Sequence, residues 1–427
     1  MSDANLDHKG RPVIVVTGVG VVTSLGAGRQ DNWAALTAGK SGIHQITRFP
    51  TEGLRTTIGG TVDFLKDVPI SAPLLTERFA VLAVEEAVAQ AKIGSAGNFP
   101  GPLFMAVPPV EVDWPQRFEL YEAGKAGGGT GYARLFAGAR SGDYRRYHEL
   151  STFGWPAERI AEKFGTRGGP VSLSTACASG ASAIQLGLEA LRRGDCAAAL
   201  CVGSDGSVHA EAVIRFSLLS ALSTSNNPPE AAAKPFSADR DGFVVAEGAG
   251  ALVLETLDHA RARGAEILAV LRGCGERADD FHRTRSKPDG SSIIGAIERA
   301  MDDAGLAPDE IDYVNAHGTG TPENDKMEYL GLSTVLGDAL TSIPVSSNKS
   351  MIGHSLTAAG AVEAVFSILT MRTGRIPPTI NYNVPDPAIP LDVVPNVARD
   401  ASVATVMSNS FGFGGQNLCL VLAAEPA

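Results

Sequence analysis

Apolar residues along this chain gather in short continuous runs set off by glycine, with helix-spaced stretches between them. The first run, Val13 to Val22, is interrupted only by Thr17, Gly18 and Gly20, the pattern of a strand buried on both faces. Phe79 to Lys92 reads as an Ala/Val/Glu helix, and Leu103 to Val107 as a strand that Pro108 and Pro109 end. Gly124 to Gly142, with Trp114, Phe118, Tyr121 and Tyr132 around it, reads as an irregular excursion from the core. Regularity returns with a helix from Trp155 to Phe164. After it come a strand at Val171 and Leu173, a helix with Ala181, Ile184, Leu188 and Leu191 on its apolar face, and a buried strand from Ala197 to Val202.

Two features predict a duplicated unit. Arg240 to Gly250 runs into an apolar strand, Ala251 to Leu254, and Asn409 to Asn417 runs into Leu418 to Leu422; both read as hairpin-like segments with Phe and Gly ahead of a final strand. Two strand-to-helix junctions also correspond. Cys177 opens one helix, and His354 opens another with Val362, Val365, Phe366 and Leu369 on one face. A chain of 427 residues exceeds what one hydrophobic core usually supports. The reading is therefore an α/β protein of two halves, residues 1–265 and 266–427, whose βαβ units share a mostly parallel sheet covered on both faces.

Composition narrows the class. With 44% hydrophobic and 19% charged residues the chain is expected to be globular, and its apolar runs are too short to span a membrane. Met1 to Pro12 is polar without a signal-peptide core, so the expected location is cytoplasmic. Five cysteines without framework or metal-type spacing predict reduced thiols and no disulfide. A net charge of −11 disfavours nucleic acid as a partner. Gly18, Gly20, Gly26 and Gly28 invite a dinucleotide reading but do not complete G-x-G-x-x-G, and no acidic partner follows at the required distance.

Candidate chemistry centres on Val171 to Gly180, which sets Cys177 between a strand and a helix among the small residues Ala176, Ala178, Ser179 and Gly180. A buried cysteine is by default an inert core residue. At a helix N-terminus, however, free N–H groups and the helix dipole favour the thiolate without a dedicated base. Two histidines lie in glycine-rich surroundings after strand-like segments: Asn315-Ala-His317-Gly-Thr-Gly-Thr and Met351-Ile-Gly-His354-Ser. The helix start is expected to keep His354 neutral, as a hydrogen-bond donor. Lys349 follows the strand Ile343 to Ser347 and has Glu363 or Glu328 as candidate partners.

These segments, together with Lys234 to Phe243, Ser347 to His354 and Asn409 to Gly415, occur in the order found in a known family. The chain resembles the β-ketoacyl-acyl carrier protein synthases of the elongating KAS II (KAS I/II) type in the thiolase superfamily. The resemblance runs from Val13 to Leu422. It implies a thiolase-like fold, two pseudo-repeated βαβ halves packed as a layered α-β-α-β-α structure. It also implies a homodimer and an acyltransferase that condenses a Cys177-bound acyl chain with malonyl-acyl carrier protein, losing carbon dioxide. On the same ground, His317 and His354 donate hydrogen bonds to the malonyl thioester carbonyl, and the N–H groups of Cys177 and Phe413 form the oxyanion hole. Phe413 gates the acyl pocket, Thr319 and Thr321 hold the phosphopantetheine arm, and Lys349 holds a network with Asp325, Glu328 and Glu363. No metal and no organic cofactor is implied, since acyl carrier protein presents the substrates.

Three departures from the family pattern bear on specificity. Ala106 to Trp114 replaces a glycine-rich stretch that in relatives lines the acyl pocket and reaches the dimer partner, with Val110 at the candidate lining position. Ser220 stands where relatives often carry a basic residue for the carrier protein, leaving Arg215, Arg283 and Arg285 as other basic sites. Ser355 to Gly360 varies the usual helix start. A degradative thiolase is disfavoured because it needs a second catalytic cysteine where Phe411-Gly-Phe-Gly-Gly stands. Initiating synthases are disfavoured by the two-histidine set. A polyketide-type ketosynthase stays open, as does a non-catalytic partner subunit of the chain-length-factor kind, against which the intact Cys177 argues.

Overall fold

The computed structural model describes residues 5–109, 112–142 and 144–424; Val110 lies outside them. The principal strands are β1 (Ile14–Thr23), β2 (Leu103–Ala106), β3 (Val171–Leu173), β4 (Ala198–Asp205), β5 (Gly248–Thr256), β6 (Ala269–Ala278), β7 (Tyr313–Asn315), β8 (Pro344–Ser346), β9 (Thr405–Phe411) and β10 (Gln416–Ala423). They belong to one 12-stranded sheet in the order β8-β7-β9-β10-β6-β1-β5-β4-β2-β3, extended beyond β8 by Asp392–Val393. Read outward from the centre, β1-β5-β4-β2-β3 and β6-β10-β9-β7-β8 follow the same order with the same pairing directions. The two sets join where Val15 and Val16 of β1 pair with β6.

The sheet is not mostly parallel. Its outer strands are parallel, as crossover helices require. The central pairs β1/β5, β4/β5, β6/β10 and β9/β10 are antiparallel, as is the β1/β6 join. The β9–β10 connection is a turn through residues 412–415, too short for a crossover. The earlier Phe-Gly segment, 240–247, is irregular rather than a hairpin and bridges to Leu222, Gly60 and His354.

Helix α1 (Ala72–Ala91) packs on β1 and β5. It starts earlier than its apolar spacing indicates, because Ser71 and a proline in the first turn open it. Of the next helices, α2 (Trp114–Ala123), α3 (Tyr132–Ala139) and α4 (Arg145–Leu150) replace the expected irregular excursion. Their glycines serve packing: a Cβ on Gly124 would lie 1.9 Å from the Arg134 carbonyl oxygen, and one on Gly138 would lie 2.0 Å from that of Leu120. Helix α5 spans Trp155–Phe164, α6 Ser179–Arg192, α7 Ala210–Leu218, α8 Ser291–Ala304, α9 Pro322–Leu336 and α10 Ala359–Thr373. The inner pair, α6 and α10, pack on each other and on β4, β5 and β9, while α8 covers β6 and β10 on the other side as α1 covers β1 and β5. Among the described residues no helix is long and apolar enough to cross a membrane.

The glycines of the first strand are packing devices as well. A Cβ on Gly20 would sit 2.0 Å from the Ala83 carbonyl oxygen, and on Gly275 of β6 the same atom would sit 2.1 Å from that of Ala296 in α8. Each five-strand set thus seats its outer helix directly on a bare stretch of strand. Gly20→Val should lower stability by about 1–3 kcal/mol, since overpacking against backbone has no flexible side chain to move. Thermal or urea unfolding measures this, and an unchanged midpoint would show that α1 can lift off β1.

Candidate active site

Cys177 follows β3 and precedes α6, whose N-cap is Ala178. The preceding residue, Ala176, has φ 49°, a left-handed conformation that costs a non-glycine residue roughly 1–2 kcal/mol and turns the cysteine out of line with the strand. Gly412 lies above the Cys177 N–H: a Cβ there would be 3.2 Å from that nitrogen. The next residue, Phe413, directs its N–H at the Cys177 sulfur.

His317 follows β7, and His354 follows the short helix Lys349–Ile352 that begins just after β8, so the loops leaving two neighbouring parallel strands bring both to Cys177. Sγ of Cys177 and a nitrogen of each ring all lie within 4.8 Å of one another. The rings meet edge to face with centroids 5.2 Å apart. His354 does not open α10 directly; a 3-10 turn over Leu356–Ala358 intervenes. Phe243 flanks His354 at 5.3 Å between centroids, and Phe411 flanks His317 at 5.9 Å.

Backbone and lysine contacts fix the tautomers. Leu356 N–H donates to Nδ1 of His354 at 3.2 Å, so Nε2 carries the proton, and that buried nitrogen has no partner among the described residues. The Lys349 ammonium lies 3.4 Å from Nδ1 of His317, which it uses as an acceptor, leaving Nε2–H there too. Burial, reinforced by the Lys349 charge, holds both rings well below the usual imidazole range. Both are neutral donors. The spacing of the three side chains would suit a soft metal ion, but ligation needs a bare ring nitrogen and the free ones carry hydrogen.

Lys349 is 2% exposed. It pairs with Glu363 and donates to the His317 carbonyl oxygen at 2.7 Å. Glu328 instead accepts the N–H groups of His317 and Gly318 at 2.8 and 2.7 Å and Nδ2 of Asn409 at 3.1 Å. Asp325 accepts the N–H of Phe236 at 2.7 Å and of Gly320 at 3.2 Å. The lysine's carboxylate partner is therefore Glu363, and the other two acids brace backbone. Burial pushes Glu328 and Glu363 up to about 7 each. Thr319 and Thr321 share a hydroxyl hydrogen bond of 2.9 Å on the wall of the cleft above Cys177, and Arg283 and Arg285 stand exposed at its rim.

Comparison with known proteins gives this arrangement its class. The β-ketoacyl synthase N-terminal domain matches residues 11–74 and 128–260, and the C-terminal domain of the same family matches residues 268–383. The 3-oxoacyl-[acyl-carrier-protein] synthase 2 of Coxiella burnetii is 35% identical over 96% of this chain and 98% of its own length. The chain belongs to the β-ketoacyl synthase family. The ketoacyl synthase alpha subunit of the tetracenomycin polyketide synthase from Streptomyces glaucescens is 36% identical, over 96% of each chain. A β-ketoacyl synthase from Burkholderia phymatum superposes with a TM-score of 0.83 at 32% identity, covering 97% of this chain and 99% of that one. A solved type II polyketide acyl-carrier protein in complex with its ketosynthase superposes with a TM-score of 0.86 at 31% identity, covering 97% of this chain and 100% of that chain. This β-ketoacyl synthase is accordingly an acyltransferase-type enzyme with a thiolase-like fold.

Sequence reasoning did not assign Phe243, Phe411 or Asn409. The signal was present in the two Phe-Gly segments, which place Phe243 beside His354 and Phe411 beside His317. Against the thiolate expected at the helix start, burial pushes Cys177 up to about 11, opposed by the Phe413 N–H and the Lys349 charge. Alkylation of Cys177 by iodoacetamide should therefore rise about tenfold per pH unit from about pH 6 to about pH 9. Peptide mass spectrometry follows it, and a plateau below about pH 8 would show that the helix terminus already holds a thiolate.

Proposed function

We propose that this enzyme is a 3-oxoacyl-[acyl carrier protein] synthase in which Cys177 carries the acyl chain and His317 and His354 drive decarboxylation. The observation that carries the reading is the pair of neutral rings that each bring a nitrogen within 4.8 Å of the Cys177 sulfur, with His354 Nε2 buried and without a partner among the described residues. Cys177 sulfur attacks the acyl thioester carbonyl, and the oxyanion rests on the N–H groups of Cys177 and Phe413. Collapse breaks the old C–S bond, and the carrier thiol leaves with the proton that Cys177 gave up. Phe413 then swings with the glycine-rich turn to admit the chain, while Thr319 and Thr321 hold the phosphopantetheine amides.

The malonyl thioester binds next, its carbonyl oxygen between the two ring N–H donors. Cleavage of the bond to the carboxylate releases carbon dioxide and leaves its electron pair in an enolate, whose charge those donors stabilise. The carbanion attacks the acyl-Cys177 carbonyl, the C–S bond breaks, and Cys177 takes up one proton as the 3-ketoacyl product departs. Bond cleavage supplies the electron pair, so no cofactor enters. Lys349 with Glu363 keeps the rings neutral and oriented.

A polyketide-type ketosynthase is the second reading, because relatives of both kinds share 35% and 36% identity with this chain. The residues would act identically on another starter. We further propose a homodimer formed through the sheet edge at β3, where Val171 is 40% exposed, and a cytoplasmic location, in keeping with five free cysteines. The proposed halves are residues 1–265 and 266–427, a division supported by the repeated strand order. Arg283 and Arg285 at the cleft rim are the proposed contacts for an acidic carrier protein.

Intact-protein mass spectrometry with acyl carrier proteins of increasing chain length tests the reading. Wild type should gain the mass of the acyl group and Cys177→Ala should not. His354→Ala and His317→Ala should still acylate but discharge with malonyl-carrier protein about 10²–10³-fold more slowly. Folded wild type that no acyl donor labels would overturn the assignment in favour of a partner subunit.

A further inference from the structure

A charged cluster with a buried Arg48–Glu247 pair and a half-buried Asp63 and His44 lies outside the cleft lining and has no part in the mechanism above. The Arg48 side chain is 7% exposed, and that of Glu247 is fully buried. Arg48 Nη1 donates to Glu247 Oε2 at 2.9 Å, while Nη2 lies 2.8 Å from Glu247 Oε1 and donates to Asp63 Oδ1 at 2.7 Å. The second Asp63 oxygen meets His44 Nε2 at 2.7 Å and accepts the Thr61 hydroxyl at 2.9 Å. Burying the Arg48–Glu247 pair is expensive unless its geometry is good and its remaining donors and acceptors are satisfied.

What the cluster grips is the backbone beside His354. Glu247 Oε1 accepts the Val62 N–H at 2.8 Å, Glu247 N–H donates to the Gly60 carbonyl at 3.2 Å, and Gly60 N–H donates to that of Val245 at 2.9 Å. On its other side the same segment holds the histidine: His354 N–H donates to the Val244 carbonyl at 2.7 Å, and Ala246 N–H donates to that of His354 at 2.9 Å. Phe243, at the start of the segment, packs its ring against the imidazole. The packing leaves no slack, since a Cβ on Gly60 would lie 2.2 Å from the Ile352 carbonyl oxygen.

We propose that Arg48 is a positioning residue for His354: its two-pronged grip on Glu247, braced by Asp63, fixes the 244–247 backbone and so aims the His354 Nε2–H at the malonyl carbonyl. The inference rests on the reading above, in which His354 serves decarboxylation and not acyl transfer to Cys177. It separates Arg48 from an ordinary structural ion pair, whose loss would weaken both half-reactions together.

The test compares the two half-reactions in Arg48→Met, Arg48→Lys and Asp63→Asn on the full chain. Acylation of Cys177 is followed by intact mass, and decarboxylation by carbon dioxide release from malonyl-carrier protein. Arg48→Met should acylate within about twofold of wild type and decarboxylate about 10–100-fold more slowly, the scale of a catalytic group misplaced by a fraction of an ångström to 1 Å. Arg48→Lys should recover most of that loss. Asp63→Asn, which keeps the Arg48–Glu247 pair, should slow decarboxylation about threefold and leave acylation intact, and it serves if Arg48→Met does not fold. Equal losses in both half-reactions, or unchanged decarboxylation in folded Arg48→Met, would overturn the proposal. Wild type that performs neither half-reaction would instead overturn the parent reading.

Discussion

The site depends on one buried cation. Lys349 touches Glu363, the His317 carbonyl oxygen and His317 Nδ1, and its charge adds to burial in depressing both imidazoles. Without it, Glu363 would be a buried carboxyl that has lost its ion-pair partner, a loss typically worth about 3–5 kcal/mol in proteins whose whole stability is about 5–15 kcal/mol. The same ammonium decides that His317 presents an N–H rather than a lone pair to the cleft. A neutral residue at 349 would release both constraints together.

The fold supplies the convergence that this chemistry needs. Duplicating a five-strand order puts the parallel strands of each set at the outside and the antiparallel ones in the middle, so that loops from β3, β7 and β8 and the β9–β10 turn meet at one place. Helices α6 and α10 lie against each other beneath that place, with Gly180 against the Ala361 nitrogen and Gly360 against that of Ala181. Such backbone contact leaves little freedom for the loops that α6 and α10 follow. Precision at Cys177 and His354 is therefore inherited from glycine packing well away from the substrate.

Much of this was legible in the sequence for a definite reason. Continuous apolar strands and helix spacing revealed β1, α5 and the Cys177 junction, because burial writes directly onto residue type. The strand directions were not legible, since periodicity carries no sign and β5 and β10 look the same in either orientation. Gly124 and Gly138 read as loop markers yet act as contact points between helices, an ambiguity that only neighbours resolve. Lys349 was seen, but its choice of Glu363 over Glu328 depended on which helix faces it. Arg48 and Glu247, 199 positions apart, carried no local signal at all.

The protonation pattern also constrains how acylation proceeds. In both rings Nδ1 is turned on a donor and Nε2 carries the hydrogen, so neither histidine is arranged to take the thiol proton. A site with a general base would show the reverse tautomer, as in a cysteine–histidine pair. Burial pushes the Cys177 thiol up, while the Phe413 N–H, the Lys349 charge and the helix terminus favour its ionised form. In the proposed reaction the proton therefore has one productive destination, the departing carrier thiolate, which needs it as the old thioester bond breaks. Under that proposal nucleophile activation and leaving-group protonation become one transfer, and the two rings are kept as donors for the enolate that follows.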